Sequence, residues 1–292
     1  NAIRKLLGLK VPANTTMDKA WRALLLMSDR PAMFAQTAEA VSRDALELIL
    51  MSIDERGPGA EARNLMAGVT ARVSSSLQES FAKAREMDEA GGIDPETIRR
   101  ETGWYRAPTD RKWRWEINDK DATVNFAEWP VGVGMENAVA LEDLFFHTDL
   151  FFAYPGIKNL KVRLLPQDSS SVGVFDGDGI GIRDSDSLTP DQIKKIIIHE
   201  VQHYIQWVEG FHSGSSKSQM KVLVESGKLS PEDVSLLLPD LEPNPSKDEI
   251  AYALYMAEPG EVEARMAELR ADMTDAERRK VGITIHYSRE SG

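Results

Sequence analysis

The chain has 292 residues, 42% of them hydrophobic, with no cysteine and with 47 acidic against 35 basic residues for a formal charge of −12. That length supports one large or two small cored domains, and the lack of cysteine excludes disulfides, thiol nucleophiles and cysteine-ligated metals, leaving His, Asp and Glu as the strong metal binders. The acidic balance opposes general binding to a phosphate backbone, no apolar run approaches the ~20 residues of a membrane helix, and no secretory h-region with a small-residue cleavage site is present.

In chain order, residues 16–89 read as helix-rich, with apolar spacing around Trp21, Leu24 and Leu25, then over 45–53 and 65–87, interrupted by Asp29-Arg30-Pro31 and Arg56-Gly57-Pro58-Gly59. Ala90-Gly91-Gly92 is the clearest break and divides an expected helical N-terminal region, 1–90, from a second domain, 91–292. Asp94-Pro95-Glu96 starts a short helix, and 112–118 alternates as a strand. Around that strand, Arg99, Arg100, Arg106, Arg111, Lys112 and Arg114 interleave with Trp104, Tyr105, Trp113 and Trp115. Such a mixture can bind nucleic acid by stacking and charge, but snorkelling arginines on a folded aromatic strand are the favoured reading.

Residues 141–150 read as a helix and 160–165 as a strand. Segments 171–175 and 180–183 flank Asp176-Gly177-Asp178-Gly179 as a hairpin. The 180–183 strand is the expected sheet edge beside the site, where an extended substrate can add by backbone hydrogen bonds.

Thr189-Pro190-Asp191 then supplies an N-cap, a first-turn proline and an acidic first turn to a helix running to about Gly210. It carries His199-Glu200-Val201-Gln202-His203. Positions four apart lie one above the other, so both imidazoles share a face and can bind one metal ion with Glu200 beside it, the constellation of zinc peptidases. Two histidines do not complete a catalytic zinc (Zn2+) site, which takes three protein ligands. Glu209 stands where HExxHxxGxxH peptidases carry their last ligand, but Gln206 replaces the glycine at which that helix must turn. His212, beyond the helix end, is a candidate ligand or a donor to the reacting carbonyl. The third candidate lies in Pro259-Gly260-Glu261-Val262-Glu263-Ala264-Arg265, where Glu261 with Ala264 resembles the Glu-x-x-Ala pattern of gluzincin-type peptidases and Glu263 is its rival. Residues 214–247 read as a loop with a short helix, and 248–256 and 261–270 as helices; Tyr252, Tyr255 and His212 are candidates to steady an oxyanion.

Together these elements predict an α+β fold, a small mixed or antiparallel sheet packed on the motif helix. Thr102-Gly103-Trp104-Tyr105, Lys112-Trp113-Arg114-Trp115-Glu116-Ile117, Leu150-Phe151-Phe152-Ala153-Tyr154-Pro155, the motif with Tyr204-Ile205-Gln206, Glu209-Gly210-Phe211 and Gly260-Glu261-Val262-Glu263-Ala264-Arg265 follow one another over roughly 90–280. In that order they resemble the metallopeptidase-like domains of large polyvalent proteins of phages and mobile elements. The resemblance implies a zincin-like fold and a parent polypeptide delivered with phage DNA or carried by a mobile element, to which Asn1 in first place adds the suggestion of a piece of a longer chain. The expectation is therefore a soluble zinc metallopeptidase, cytoplasmic or virion-associated, acting on a peptide or protein, with His199, His203 and Glu261 as ligands and Glu200 as general base. The alternative is a structural or interaction module of a virion or ejected protein with a vestigial or non-catalytic metal site.

Overall fold

The computed structural model describes residues 63–270 apart from 108, 120–121, 185–186, 232, 235–237 and 239–243. The helices expected over 16–53 lie outside the described residues. The helix expected over 65–87 is in part a strand: β1 (Arg63–Ala67) precedes α1 (Ser75–Ala90), which Ser74 caps through Leu77 N. Leu65, Met66 and Ala67 are fully buried, and a strand covered on both faces has no period to tell it from a helix. The Ala90-Gly91-Gly92 break is the end of α1, where Gly91 has φ 72°. β1, which precedes that break, shares a sheet with β2 and β3 beyond it and contributes Leu65 and Ala67 to the main core.

α2 (Pro95–Thr102) starts on Asp94 and stops at left-handed Gly103, as its sequence dictates. β2 (Trp104–Arg106) and β3 (Trp113–Asn118) come next, and β3 lies between β1 and β2, antiparallel to both. The aromatic and basic stretch is folded inward. Trp104, Tyr105 and Trp113 are buried, Arg106 lies over the Trp113 ring at 4.5 Å, and Arg114 is 1% exposed. That arrangement withholds these rings from a stacking ligand.

β4 (Thr123–Val124) and β5 (Val139–Ala140) lead to α3 (Leu141–Leu144), β6 (Phe145–Phe146) and α4 (Thr148–Ala153). The single helix expected over 141–150 is thus broken. Phe145 and Phe146 pair with β4, and His147 caps α4 by accepting from Leu150 N at 3.2 Å while its Nε2 meets the buried Asp119 carboxylate. Asp119 also accepts from Leu65 N at 2.7 Å, so tertiary hydrogen bonds override a local helical preference.

β7 (Lys161–Leu165), β8 (Gly173–Phe175) and β9 (Gly179–Arg183) complete a mixed four-stranded sheet in the order β5-β7-β9-β8, with β7 and β9 parallel and the other pairs antiparallel. The hairpin between β8 and β9 forms as expected, closed by Asp176 accepting from Asp178 N and Gly179 N. Its roles are exchanged, however: the 180–183 strand is interior, and β8 is the outer strand among the described residues. Gly179, Ile180, Gly181 and Ile182 are buried, and a Cβ on Gly179 would stand 2.3 Å from Lys161 O, so β7 must pack directly on β9.

α5 (Pro190–Glu209) crosses this sheet, its Thr189–Gln192 capping box and left-handed Gly210 fixing both ends. Ile193, Ile197, Ile198, Val201 and Ile205 bury one stripe against the cluster that holds Val162, Ile180 and Ile182. On another side Gln202 is fully buried and reproduces a strand pairing: its Oε1 accepts from Met66 N at 2.8 Å and its Nε2 donates to Met66 O at 3.1 Å. α6 (Lys217–Glu225), α7 (Lys247–Ala257) and α8 (Pro259–Arg270) complete the described chain, and α6 with α7 forms a separate small core around Met220, Leu254 and Ala257. Short helices interrupt the strands in the first part, α5 to α8 follow all of them, and the strand pairs are antiparallel except β7 with β9, an α+β arrangement. No helix among the described residues is long and apolar enough to cross a membrane.

Candidate metal centre

Away from the buried stripe, the middle of α5 carries the part-buried His199 and His203, whose Nε2 atoms are 3.2 Å apart. α8 packs against this face, and small residues permit the approach: a Cβ on Gly260 would come within 2.2 Å of Ser213 C, and Ala264 is fully buried. The contact brings Glu261 to the imidazoles, with His203 Nε2 at 3.3 Å from one carboxylate oxygen and His199 Nε2 at 3.6 Å from the other. One atom from each of the three residues falls within 4.8 Å of the others. Glu261 is 2% exposed, and its Oε2 is buried without a hydrogen-bond partner. Two imidazole nitrogens and a buried carboxylate with an unsatisfied oxygen form a donor set suited to a small divalent cation.

The electrostatics agree with the geometry. Burial disfavours a charged His199, but the nearby carboxylates of Glu261 and Glu268 outweigh it and hold the imidazole up to about 9. Burial likewise works against a charged Glu261, yet the two histidines keep its carboxyl far below the usual range. Positive charge on His199, together with the Arg265 guanidinium 3.8 Å from Glu261 Oε2, compensates the buried carboxylate.

Each imidazole is oriented from behind. His203 Nδ1 donates to Gln206 Oε1 at 2.8 Å, which leaves the Nε2 lone pair facing the centre. Gln206 Nε2 in turn donates to Gly260 O at 2.9 Å and to Glu263 Oε2 at 3.1 Å. Glu263 accepts from Arg114 Nε, and Arg114 forms a two-pronged pair with Asp110 at 2.8 and 3.0 Å. His199 Nδ1 lies 3.5 Å from Glu268. The sequence marked Gln206 only as the residue in place of a glycine and as part of the resembling motif, and Glu268 not at all, although Gln206 comes three residues after His203, the spacing at which helix side chains meet.

Glu200 points to the opposite side of the His pair from Glu261's helix, under β8. A Cβ on Gly173 would fall 2.5 Å from its carboxylate, and the Phe175 N–H bonds it. Burial raises the Glu200 carboxyl, the two imidazoles pull it back, and Glu261 raises it again, for a net position above the ordinary carboxylate range.

The other candidates sit elsewhere. Glu209 is a buried structural acceptor, bonded to Thr70 N at 3.1 Å and to the Tyr154 hydroxyl at 2.7 Å. Glu263 belongs to the Arg114 pair and not to the imidazoles. The charge of His212 acts on Asp110, and no atom of it enters the three-residue donor set. Tyr252 is half exposed beneath Lys217, whereas Tyr255 is close enough to Glu261 that burial and that carboxylate push its hydroxyl well up.

Gly214 closes the centre from the loop after α5. A Cβ there would lie 2.2 Å from Glu261 and 2.4 Å from His203. Gly214→Ala is expected to displace both side chains and to weaken any divalent-cation binding at this cluster by about 10–100-fold, the range for disturbed ligand supports, in a competitive chelator titration.

Residues 64–125 match the model of the family described as large polyvalent protein associated domain 23. The matched stretch holds β1, α1, α2 and β3 but not α5, and it contributes Met66 and Arg114 to the supports of the motif helix and its neighbour. No curated protein and no solved structure matches the chain.

Proposed function

We propose that this protein is a zinc-dependent hydrolase of peptide bonds with a zincin-like arrangement, in which His199, His203 and Glu261 hold the ion and Glu200 manages the protons. The observation that carries the reading is the buried, unsatisfied Glu261 carboxylate brought from α8 to two imidazoles that share one face of α5, with Glu200 beside them. A zinc ion held there supplies a positive charge that polarises a carbonyl and acidifies water toward pKa ~7.

The chain's own groups account for the remaining requirements. Glu200 takes a proton from the attacking water and delivers it to the leaving nitrogen as the C–N bond breaks. Its raised affinity for protons, caused by burial, suits this exchange. The Tyr255 hydroxyl, kept protonated beside Glu261, is a donor near developing charge, and the edge of β8 offers an extended peptide its backbone groups other than the Phe175 N–H, which Glu200 engages.

The reading is tested by elemental analysis and by proteolysis of a peptide library with wild type and Glu200→Gln. One zinc per chain in both, with cleavage by wild type alone, is expected. A wild-type protein that takes up no zinc overturns the reading. Zinc in both with cleavage by neither selects instead an interaction module with a non-catalytic metal site.

A further inference from the structure

Beside the metal centre, three aromatic rings gather where β8 meets the C-terminal half of α5. Phe175 stands edge-on to Tyr204 with centroids 5.9 Å apart, and Trp207 lies 6.5 Å from Phe175 and 6.1 Å from Tyr204. Trp207 is 65% exposed, a large apolar surface left in water on a helix whose opposite stripe is core. It comes four residues after His203, so it lies above that ligand on the same helix face, about 6 Å further along the axis.

β8 runs alongside α5 in the same sense. A Cβ on Gly173 would meet Ile196 and Glu200, and Phe175, two residues later on the same strand face, reaches Tyr204. Arg183 N donates to Val172 O and Asp176 N to Gly179 O, so the alternation of an antiparallel ladder turns the backbone of Gly173 and Phe175 away from β9, where the Phe175 N–H meets Glu200 and the Gly173 groups and the Phe175 carbonyl face outward. The outer edge of β8 therefore leads from Glu200 directly to the aromatic rings.

We propose that Phe175, Tyr204 and Trp207 form a subsite for one large apolar side chain, aromatic or long aliphatic, of an extended peptide lying along the outer edge of β8. This inference rests on the peptidase reading and names the substrate class. An extended peptide repeats each face every ~6.6 Å, which matches the step from Gly173 to Phe175. A residue reacting beside Glu200 thus places a side chain against Trp207 within two residues of the cleaved bond. The three rings carry no charge to pair with an ionised group, and what they offer is contact area.

The test uses zinc-loaded full chain and its Trp207→Ala variant on a randomised peptide library, and calorimetry of Glu200→Gln, with and without Trp207→Ala, against two peptides that differ only in Phe or Ala at the selected position. Because Trp207 is exposed, its truncation leaves the core intact, which circular dichroism checks. Wild type is expected to select Phe, Tyr, Trp, Leu or Met at one fixed position within two residues of the cleaved bond. Trp207→Ala is expected to lower kcat/KM for those peptides about tenfold or more while leaving the Ala peptide unchanged, the scale for lost contacts in an apolar pocket. Equal use of all residues there, a preference for Lys or Arg, or a preference that survives Trp207→Ala overturns the subsite. If wild type cleaves nothing, calorimetry decides. Tighter binding of the Phe peptide that disappears with Trp207→Ala upholds the subsite while the peptidase reading falls, and equal or absent binding overturns the subsite as well.

Discussion

Arg114→Met is expected to destabilise the fold by about 3–5 kcal/mol in urea unfolding, the cost of removing one partner from a buried charged set. The guanidinium is 1% exposed and stands between two carboxylates, Asp110 and Glu263, whose side chains are 9% and 2% exposed. It also lies 3.6 Å over the Phe211 ring, so methionine loses a cation–π contact in addition to the ion pairs. The two acids respond differently to their surroundings. Burial alone would raise Asp110, but hydrogen bonds and charge from Arg114 hold it below its ordinary value, while burial of Glu263 outweighs the same cation and leaves that carboxyl raised. Glu263→Gln alone should therefore cost less than Arg114→Met, and added to Arg114→Met it should restore part of the loss. Equal and additive effects of the two substitutions would show that no coupling passes between them. The chain of bonds from Arg114 through Glu263 and Gln206 ends on His203 Nδ1, so Arg114→Met is also expected to weaken zinc binding.

The second large effect is expected on turnover. Glu200→Gln should lower kcat by about 10²–10⁴-fold, the usual contribution of a positioned general acid–base group, with zinc content unchanged because the residue is not among the three donors. Glutamine preserves shape beneath Gly173 and Phe175 but has no proton to exchange, so a folding defect does not explain the loss. Glu261→Ala should behave in the opposite manner, losing stoichiometric zinc along with activity. Glu263→Gln, although only two residues away, should retain zinc. A variant series in which Glu263→Gln empties the site and Glu261→Ala does not would reverse the ligand assignment.

The motif helix was legible in the sequence because everything that defines it is local: a capping box at Thr189, an apolar stripe from Ile193 to Ile205, a glycine stop at 210, and two histidines at the spacing that superposes them. The turn between β8 and β9, the cap of α2 and the inward folding of the Trp-rich strand were legible for the same reason. Where the reading failed, the deciding contacts came from far along the chain. β1 buries Leu65 and Ala67 in the main core and Met66 against Val262 and Met266 of α8, and burial of both faces erases the alternation that would have announced it. The helix expected across Phe145 and Phe146 gives way because β4 pairs with them and Asp119 takes His147. Which strand forms the edge depended on β7 inserting against the glycines of β9.

The site divides along the same line. Two imidazole nitrogens and the neighbouring acid arise from one helix and its 3.6-residue period. Packing brings Glu261 to those imidazoles, since residues 261 and 263 point to different sides of α8, one to the imidazoles and one to Arg114, while Glu209 is claimed by Thr70 and Tyr154. Periodicity along a helix is encoded in a short stretch of sequence, but which of several nearby carboxylates remains unsatisfied is settled only when distant helices and strands have taken their own hydrogen bonds.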